Sequence, residues 1–256
     1  MSSEPTAALE YRVLGGFGLL RDGRQVGAEA WERPMAARVV RFLLVERGSV
    51  PEDALLEAFW RERDPAAGRR CLAVCLSRCR AVLRPGAIAV NERAYRLVLG
   101  PCDSVDSDIF ELTAATALAC GRGPRRVAAL EQAAALWHGE PLPEDRYADW
   151  SHGWRDALAD LHREVLAALA DAHAEVGQHG AALRAAHRML DADPLDEGAH
   201  RRVMTEYTAL GRRNRALEQY RRCRRELIEA VGIEPAEETA ALHARILAGR
   251  AAGLAA

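Results

Sequence analysis

The chain contains no lysine: all 35 of its basic residues are arginine. A phosphate-cradling loop of the G-x-x-x-x-G-K-[ST] type is therefore impossible, and the glycine cluster "GGFG" at 15–18 is too short to replace it. Nucleotide hydrolysis by a P-loop is excluded on that ground. No apolar run approaches the roughly 18 residues that cross a bilayer, and "MSSEPTAALEYR" lacks the basic-then-apolar order of a secretory signal. The expectation is a protein of the cytoplasm with no membrane partner. Six cysteines (Cys71, Cys75, Cys79, Cys102, Cys120 and Cys223) lack the spacing of a disulfide framework, which fits thiols in a reducing compartment. Sequence order assembles no Ser/His/Asp or Cys/His arrangement. His152, His162, His173 and His179 read as surface or inter-helix residues, and Trp137, Trp150 and Trp154 as core. The chain reads as a non-enzyme without metal or cofactor.

At 256 residues two domains are favoured, each large enough for its own core. The net charge of -2 conceals an asymmetry: residues 10–100 hold 16 Arg against 11 acidic residues, and residues 101–256 hold 19 against 25. A basic first half points to an anionic partner such as nucleic acid, although a surplus of this size also suits a solvated surface.

"YRVLGGFGLLRDGRQVG" reads as short strands, with Asp22-Gly23 a two-residue hairpin signal. "PMAARVVRFLLVERG" places Met35, Val39, Phe42 and Leu43 on one helical face, between Pro34 at its start and Gly48 past its end. Pro51 and two acids open a short second helix with Leu55, Leu56, Phe59 and Trp60 on its apolar side. Asp64 can cap a third helix and Pro65 can occupy its first turn; Pro85-Gly86 ends it near Leu83, and "AIAVNERAYRLVLG" follows as a β-hairpin.

The third helix carries "GRRCLAVCLSRCRAVL". At 100° per residue, Leu72, Leu76, Cys79 and Leu83 form a buried stripe with Cys75 at its edge and Cys71 just beyond. Arg70, Ala73, Val74, Ser77 and Ala81 face the other way, flanked by Arg69, Arg78, Arg80 and Arg84. Cysteines eight residues apart on a helix are separated by about 12 Å, so all three cannot hold one ion, and free cysteine packs as a small hydrophobe. The outward face suits a major groove: arginine reads guanine edges, serine donates or accepts, Val74 meets a thymine methyl, and flanking arginines meet phosphates. A solvated face explains this helix alone equally well.

Beyond Asp106 the chain reads as helical. "VGQHGAALRAAHR" and "LGRRNRALEQYRR" repeat at the roughly 34-residue spacing of tetratricopeptide units, matching Gly177 to Gly211, Ala182 to Ala216, Leu183 to Leu217 and Arg188 to Arg222. Asp193-Pro194 is expected to begin the helix between them, and "EDRYADW…AEVG" to form one long helix. "RRCRRELIEA" at 221–230 reads as a solvated helix face. The fold class is mainly α with small β: an N-terminal winged helix-turn-helix followed by an α-helical tetratricopeptide-like solenoid. Its expected parts are a disordered 1–9, a DNA-binding 10–100, a helical 107–250 and a tail at 251–256.

With "LLEAFW", "AGRRCLAVCLSRCRAVL", "YRL", "LWHGEPLPE", "YADW", "DADPLDEGAHRRVM", "LGRRNRALEQYRRCRREL" and "GIEP" in this order, the chain resembles the Streptomyces antibiotic regulatory protein family over about residues 10–248. Members join an OmpR-type winged helix to a bacterial transcriptional activation domain. The resemblance implies a transcriptional activator that binds direct repeats in double-stranded promoter DNA as a homodimer of side-by-side protomers. It further implies recruitment of RNA polymerase holoenzyme at the bacterial nucleoid and control of a biosynthetic gene cluster.

On the family pattern, Arg69, Arg70, Ala73, Val74, Ser77, Arg78 and Arg80 lie on the recognition helix, Tyr95 and Arg96 on the wing, and Arg61, Glu62, Arg63 and Asp64 in a loop facing polymerase. Ala73 and Cys75 replace larger polar or aromatic residues of relatives, and Ala94 a common wing glycine, which leaves fewer base-reading groups. Two other readings stand beside this one: a tetratricopeptide-like scaffold for protein or ligand with weakened DNA contact, and a thiol- or metal-dependent sensor.

Overall fold

Alternation sets the first strand: Leu9 and Tyr11 of β1 (Leu9–Arg12) are buried, while Glu10 and Arg12 are not. β2 (Gly18–Arg21) returns antiparallel to it, and a two-residue turn leads to β3 (Arg24–Gln25). That turn is Asp22-Gly23, with φ of 50° and 74°, the left-handed pair that a tight hairpin requires. The computed structural model describes residues 8–32 and 34–249. The expected terminal segments lie outside it except for Ala8 and Leu9, and Leu9 already belongs to β1.

Helix α1 (Pro34–Glu46) is buried almost all round, with Val39, Val40 and Leu43 at 1% exposure or less. The expected face is thus too narrow, because α1 is the central element of its unit. Its chain reversal uses Arg47 at φ 51°, not Gly48. Just ahead of the second helix, Val50–Pro51 forms a short strand, β4, that pairs with a later strand. Helix α2 (Glu52–Trp60) follows, and α3 (Pro65–Val82) is capped as expected: Asp64 Oδ2 accepts from Ala67 N at 3.1 Å. Gly68 lets α3 lie close on α2, since a Cβ there would sit 3.2 Å from Leu56 and 3.5 Å from Trp60.

The hairpin of β5 (Ile88–Asn91) and β6 (Ala94–Leu97) completes a three-stranded sheet of order β4-β6-β5. A short strand not foreseen, β7 (Ser104–Val105), then pairs parallel with β1 and closes the sheet β3-β2-β1-β7. Asp103 and Asp106 flank it and accept from the backbone of Leu9 at 3.0 Å and Val13 at 2.8 Å.

The remaining helices are α4 (Asp106–Ala119), α5 (Pro124–Ala135), α6 (Asp149–Glu175), α7 (His179–Ala192), α8 (Glu197–Ala209), α9 (Arg213–Val231) and α10 (Glu237–Leu247). The contacts divide the chain into two compact units, and the division falls inside α4 and inside α6. The first unit runs to Glu111 and also takes in Trp137–Ala159; the second holds Leu112–Leu136 and the chain from Asp160 onward.

Within the first unit, the segment 137–148 is irregular where helix was expected. Leu14 bridges Pro141, Leu142 N donates to Val13 O at 2.9 Å, and a short 3-10 turn at Pro143–Asp145 delivers Asp145 to α1. There its carboxylate, 1% exposed, accepts from Arg38 Nε at 2.7 Å and Arg41 Nε at 2.5 Å. Trp150 packs edge-on against Phe42, with ring centroids 5.3 Å apart.

Within the second unit, the repeat is literal. Gly177 and Gly211 adopt φ of 75° and 70°, Ala182 and Ala216 are fully buried, and the turn bonds recur: Gln178 N to His173 O at 2.8 Å and Arg212 N to Tyr207 O at 2.7 Å. Helix α8 begins later than expected. Asp193 instead bonds Leu195 N across Pro194, and Asp196 is the cap, accepting from Ala199 N at 3.0 Å.

Asp145 holds the guanidinium of Arg41, whose side chain is only 11% exposed. Asp145→Ala is expected to lower the stability of the chain by about 3–5 kcal/mol in urea unfolding, because removing one partner of a buried pair strands the other charge.

Candidate nucleic-acid interface

Helix α3 is divided as its periodicity requires. Leu72, Cys75, Leu76, Cys79 and Val82 are buried, with Leu83 just beyond the helix, while Arg69, Arg70, Ala73, Val74, Ser77, Arg78, Arg80 and Ala81 are exposed. The back is tied down by more than burial, since Cys79 Sγ donates to Ala36 O of α1 at 3.2 Å. Burial pushes the Cys79 thiol up to about 12, with the neighbouring Cys75 adding to the effect, so it stays a thiol. Cys75 is also core rather than edge, so it takes no place on the outward face and removes no reading group from it. Among the described residues no group of three His, Cys, Asp or Glu could hold a metal ion.

The four flanking arginines are not equivalent. Arg84 turns inward, against expectation: its side chain is 10% exposed and pairs with Asp103 Oδ2 at 2.5 Å, which withdraws it from the front. Arg69 Nε donates to Glu52 Oε1 at 3.0 Å, and Arg78 Nη1 to Glu32 Oε1 at 2.7 Å. Arg70 and Arg80 have no carboxylate partner among the described residues. Neither does Arg96, which is exposed on β6.

Tyr95 is half-buried beside this face, and its hydroxyl donates to Glu52 Oε2 at 3.3 Å. Partial burial raises its pKa first and the Glu52 charge second, while Arg80 opposes the rise. Glu52 thus joins the start of α2 to α3 and to the hairpin; its own N–H donates to Arg93 O at 2.8 Å. The hairpin tip is Glu92-Arg93, with φ of 46° and 62° at two residues that are not glycine. In the loop before α3, Arg61, Glu62, Arg63 and Asp64 are all exposed, with Arg61 3.2 Å from Glu57. Structure therefore brings Arg69, Arg80 and Tyr95 to one edge of the front and sets Arg78 with Glu32 at the other. Sequence reading missed Glu32, Glu52 and Asp145; only Glu52 gave a signal, as an acid suited to a helix start.

Residues 105–247 match the family profile described as "Bacterial transcriptional activator domain". The chain belongs to the bacterial transcriptional activator domain family. Members similar to it include Transcriptional regulatory protein MoaR1 of Mycobacterium tuberculosis, 26% identical over 96% of this chain and 82% of that protein. Transcriptional regulatory protein EmbR of the same species is 29% identical over 93% of this chain and 63% of EmbR. Regulatory protein AfsR of Streptomyces coelicolor is 26% identical over 95% of this chain, which spans 25% of AfsR. A solved structure, "Mycobacterium tuberculosis EmbR in complex with low affinity phosphopeptide", superposes with a TM-score of 0.77 at 25% identity, covering 95% of this chain and 66% of that one.

These relatives are transcriptional regulators of the Streptomyces antibiotic regulatory protein type, and the winged helix-turn-helix followed by a helical array is the expected fold. The activator-domain match contains Trp137–Ala159, a segment that belongs to the same compact unit as α3. No described helix is long and apolar enough to cross a membrane.

Two outcomes follow from this geometry. In the native protein a maleimide should modify exposed Cys102 first and reach Cys75, Cys79 and Cys223 only after unfolding, as read by mass spectrometry. Replacing Glu92-Arg93 by Asn-Gly should raise stability by about 1 kcal/mol in thermal unfolding, because the turn then carries residues that accept positive φ.

Proposed function

We propose that the chain is a promoter-binding activator: α3 enters the major groove, the β5–β6 hairpin lies in the adjacent groove, and the loop at Arg61–Asp64 meets RNA polymerase holoenzyme. The observation that carries this reading is the front of α3, where Arg70, Ala73, Val74 and Ser77 stand exposed on a helix whose back is core. Arg70 is then the base-reading arginine, with Ser77 and Val74 beside it, and Arg80 and Arg96 meet phosphates. Tyr95 sets the wing. On this reading residues 10–100 form the DNA-binding domain and 107–250 the activation domain. The protein acts at the nucleoid as a homodimer on direct repeats and serves a biosynthetic gene cluster. Membership in a family of transcriptional activators supports the assignment; no step in it needs a cofactor or a catalytic residue.

An electrophoretic mobility shift with the upstream regions of neighbouring genes tests the reading, and the complex should weaken steeply with salt. Arg70→Ala should cost about 1–3 kcal/mol of specific binding and relax preference at one base pair, whereas Arg80→Ala should weaken all duplexes alike and reduce the salt slope by about 1. A shift equally strong for every sequence, unchanged by Arg70→Ala, would place base reading elsewhere.

A further inference from the structure

The two carboxylate-held arginines occupy opposite edges of the recognition helix. Arg69 and Arg78 are nine residues apart, which is about 900° of rotation, or half a turn beyond two full turns, and about 13.5 Å of rise. A helix lying in a major groove about 12 Å wide presents such opposite edges to the two phosphate backbones. Each edge already has an anion in place. Glu52 comes from the start of α2 and Glu32 from the turn before α1, so two unrelated elements supply the same chemistry at equivalent places. Glu52 is fixed further by Tyr95 and is only 14% exposed, while Glu32 is 53% exposed.

We propose that Glu52 and Glu32 are resident stand-ins for DNA phosphates, which suppress binding to arbitrary duplex. In the free protein each neutralises one edge arginine. A phosphate that approaches Arg69 or Arg78 must displace a carboxylate or share the guanidinium with one, and meets the repulsion of that carboxylate meanwhile. Non-specific DNA, which offers only phosphates, gains little at these two positions. A correct site also engages Arg70, Ser77 and Val74 at the centre of the front, and this extra interaction offsets the displacement. Discrimination then comes from a repulsive element as well as an attractive one. At the Glu52 edge the exchange is linked to the wing, because releasing Arg69 leaves that carboxylate to the Tyr95 hydroxyl.

The inference rests on the DNA-binding reading above. It is tested by fluorescence anisotropy of the full chain on a short random-sequence duplex, titrated across salt concentrations, with Glu52→Gln, Glu32→Gln and the double substitution. Each single substitution should strengthen random-duplex binding about two- to fivefold near 0.1 M salt, the effect expected of one exposed ion pair. Each should also steepen the salt slope by about 0.9, the increment for one new phosphate contact. The ratio of affinities for a selected duplex and the random one should fall.

Adding Arg69→Ala to Glu52→Gln should cancel the gain. Glu218→Gln, which frees Arg215 in the helical array by the same charge change, should leave the slope alone. Glu52→Asp keeps the negative charge beside Arg69 and should retain most of the wild-type slope. Should Glu52→Gln fail to fold, exposed Glu32→Gln carries the test. Wild-type slopes in Glu52→Gln and Glu32→Gln, with salt-sensitive binding otherwise intact, would overturn the inference alone. Absence of salt-sensitive binding by the wild-type chain would overturn the DNA reading itself.

Discussion

One carboxylate governs the geometry of the first unit. Asp145 is shared by Arg38 and Arg41, and Arg41 sits on a helix whose surroundings are aliphatic and aromatic, with Phe17 5.3 Å from its guanidinium. An unpaired charge there would be costly, so α1 can be central only while Asp145 is in place. Helix α3 then takes its orientation from α1, through Cys79 and Ala36 as well as through the apolar stripe. The outward arginines stand on a helix that packs against α1, whose buried guanidinium, that of Arg41, is neutralised by an acid far along the chain.

The absence of lysine acquires a meaning on the surface of α3. A guanidinium has five donors in a planar fork, so it can give one edge to a carboxylate and keep the other for a second anion; an ammonium is a point charge without separate edges. Arg69 commits Nε to Glu52 and Arg78 commits Nη1 to Glu32, and each retains further N–H groups. On the proposed reading, arginine suits a surface on which protein carboxylates and DNA phosphates would compete for the same groups. Arg84 shows the other extreme: with Asp103 and Val98 O as partners it has become structural, holding the end of the wing to the sheet.

How much was legible follows from the range of the interactions. The buried stripe of α3, its Asp64 cap and the Asp22-Gly23 turn are local, and period or dipeptide chemistry reveals them. The helical repeat was equally plain, because Gly177 and Gly211 take the same left-handed turn and Ala182 and Ala216 are both fully buried. What escaped was long-range. Nothing near Asp145 marks it as the partner of residues about a hundred positions earlier, and β7 is two residues defined only by pairing with β1. Arg84 looked outward because a helical wheel has no term for Asp103. Asp193 and Asp196 both resemble caps; Pro194 draws the first into a turn, and the second starts the helix.

Family boundaries and compact units need not coincide, and here the difference has a physical content. The activator-domain match begins at residue 105, yet Leu142, Asp145 and Trp150 complete the packing of a unit that also holds α1 and α3. A winged helix cut at residue 100 would lose the β7 strand, the Asp103 and Asp106 acceptors for the backbone of β1 and its continuation, and the only carboxylate bonded to Arg41 among the described residues. The packing that holds α3 thus draws on both sides of the family boundary. A perturbation within Trp137–Ala159 acts on α1 directly, through a hydrogen-bonded charge.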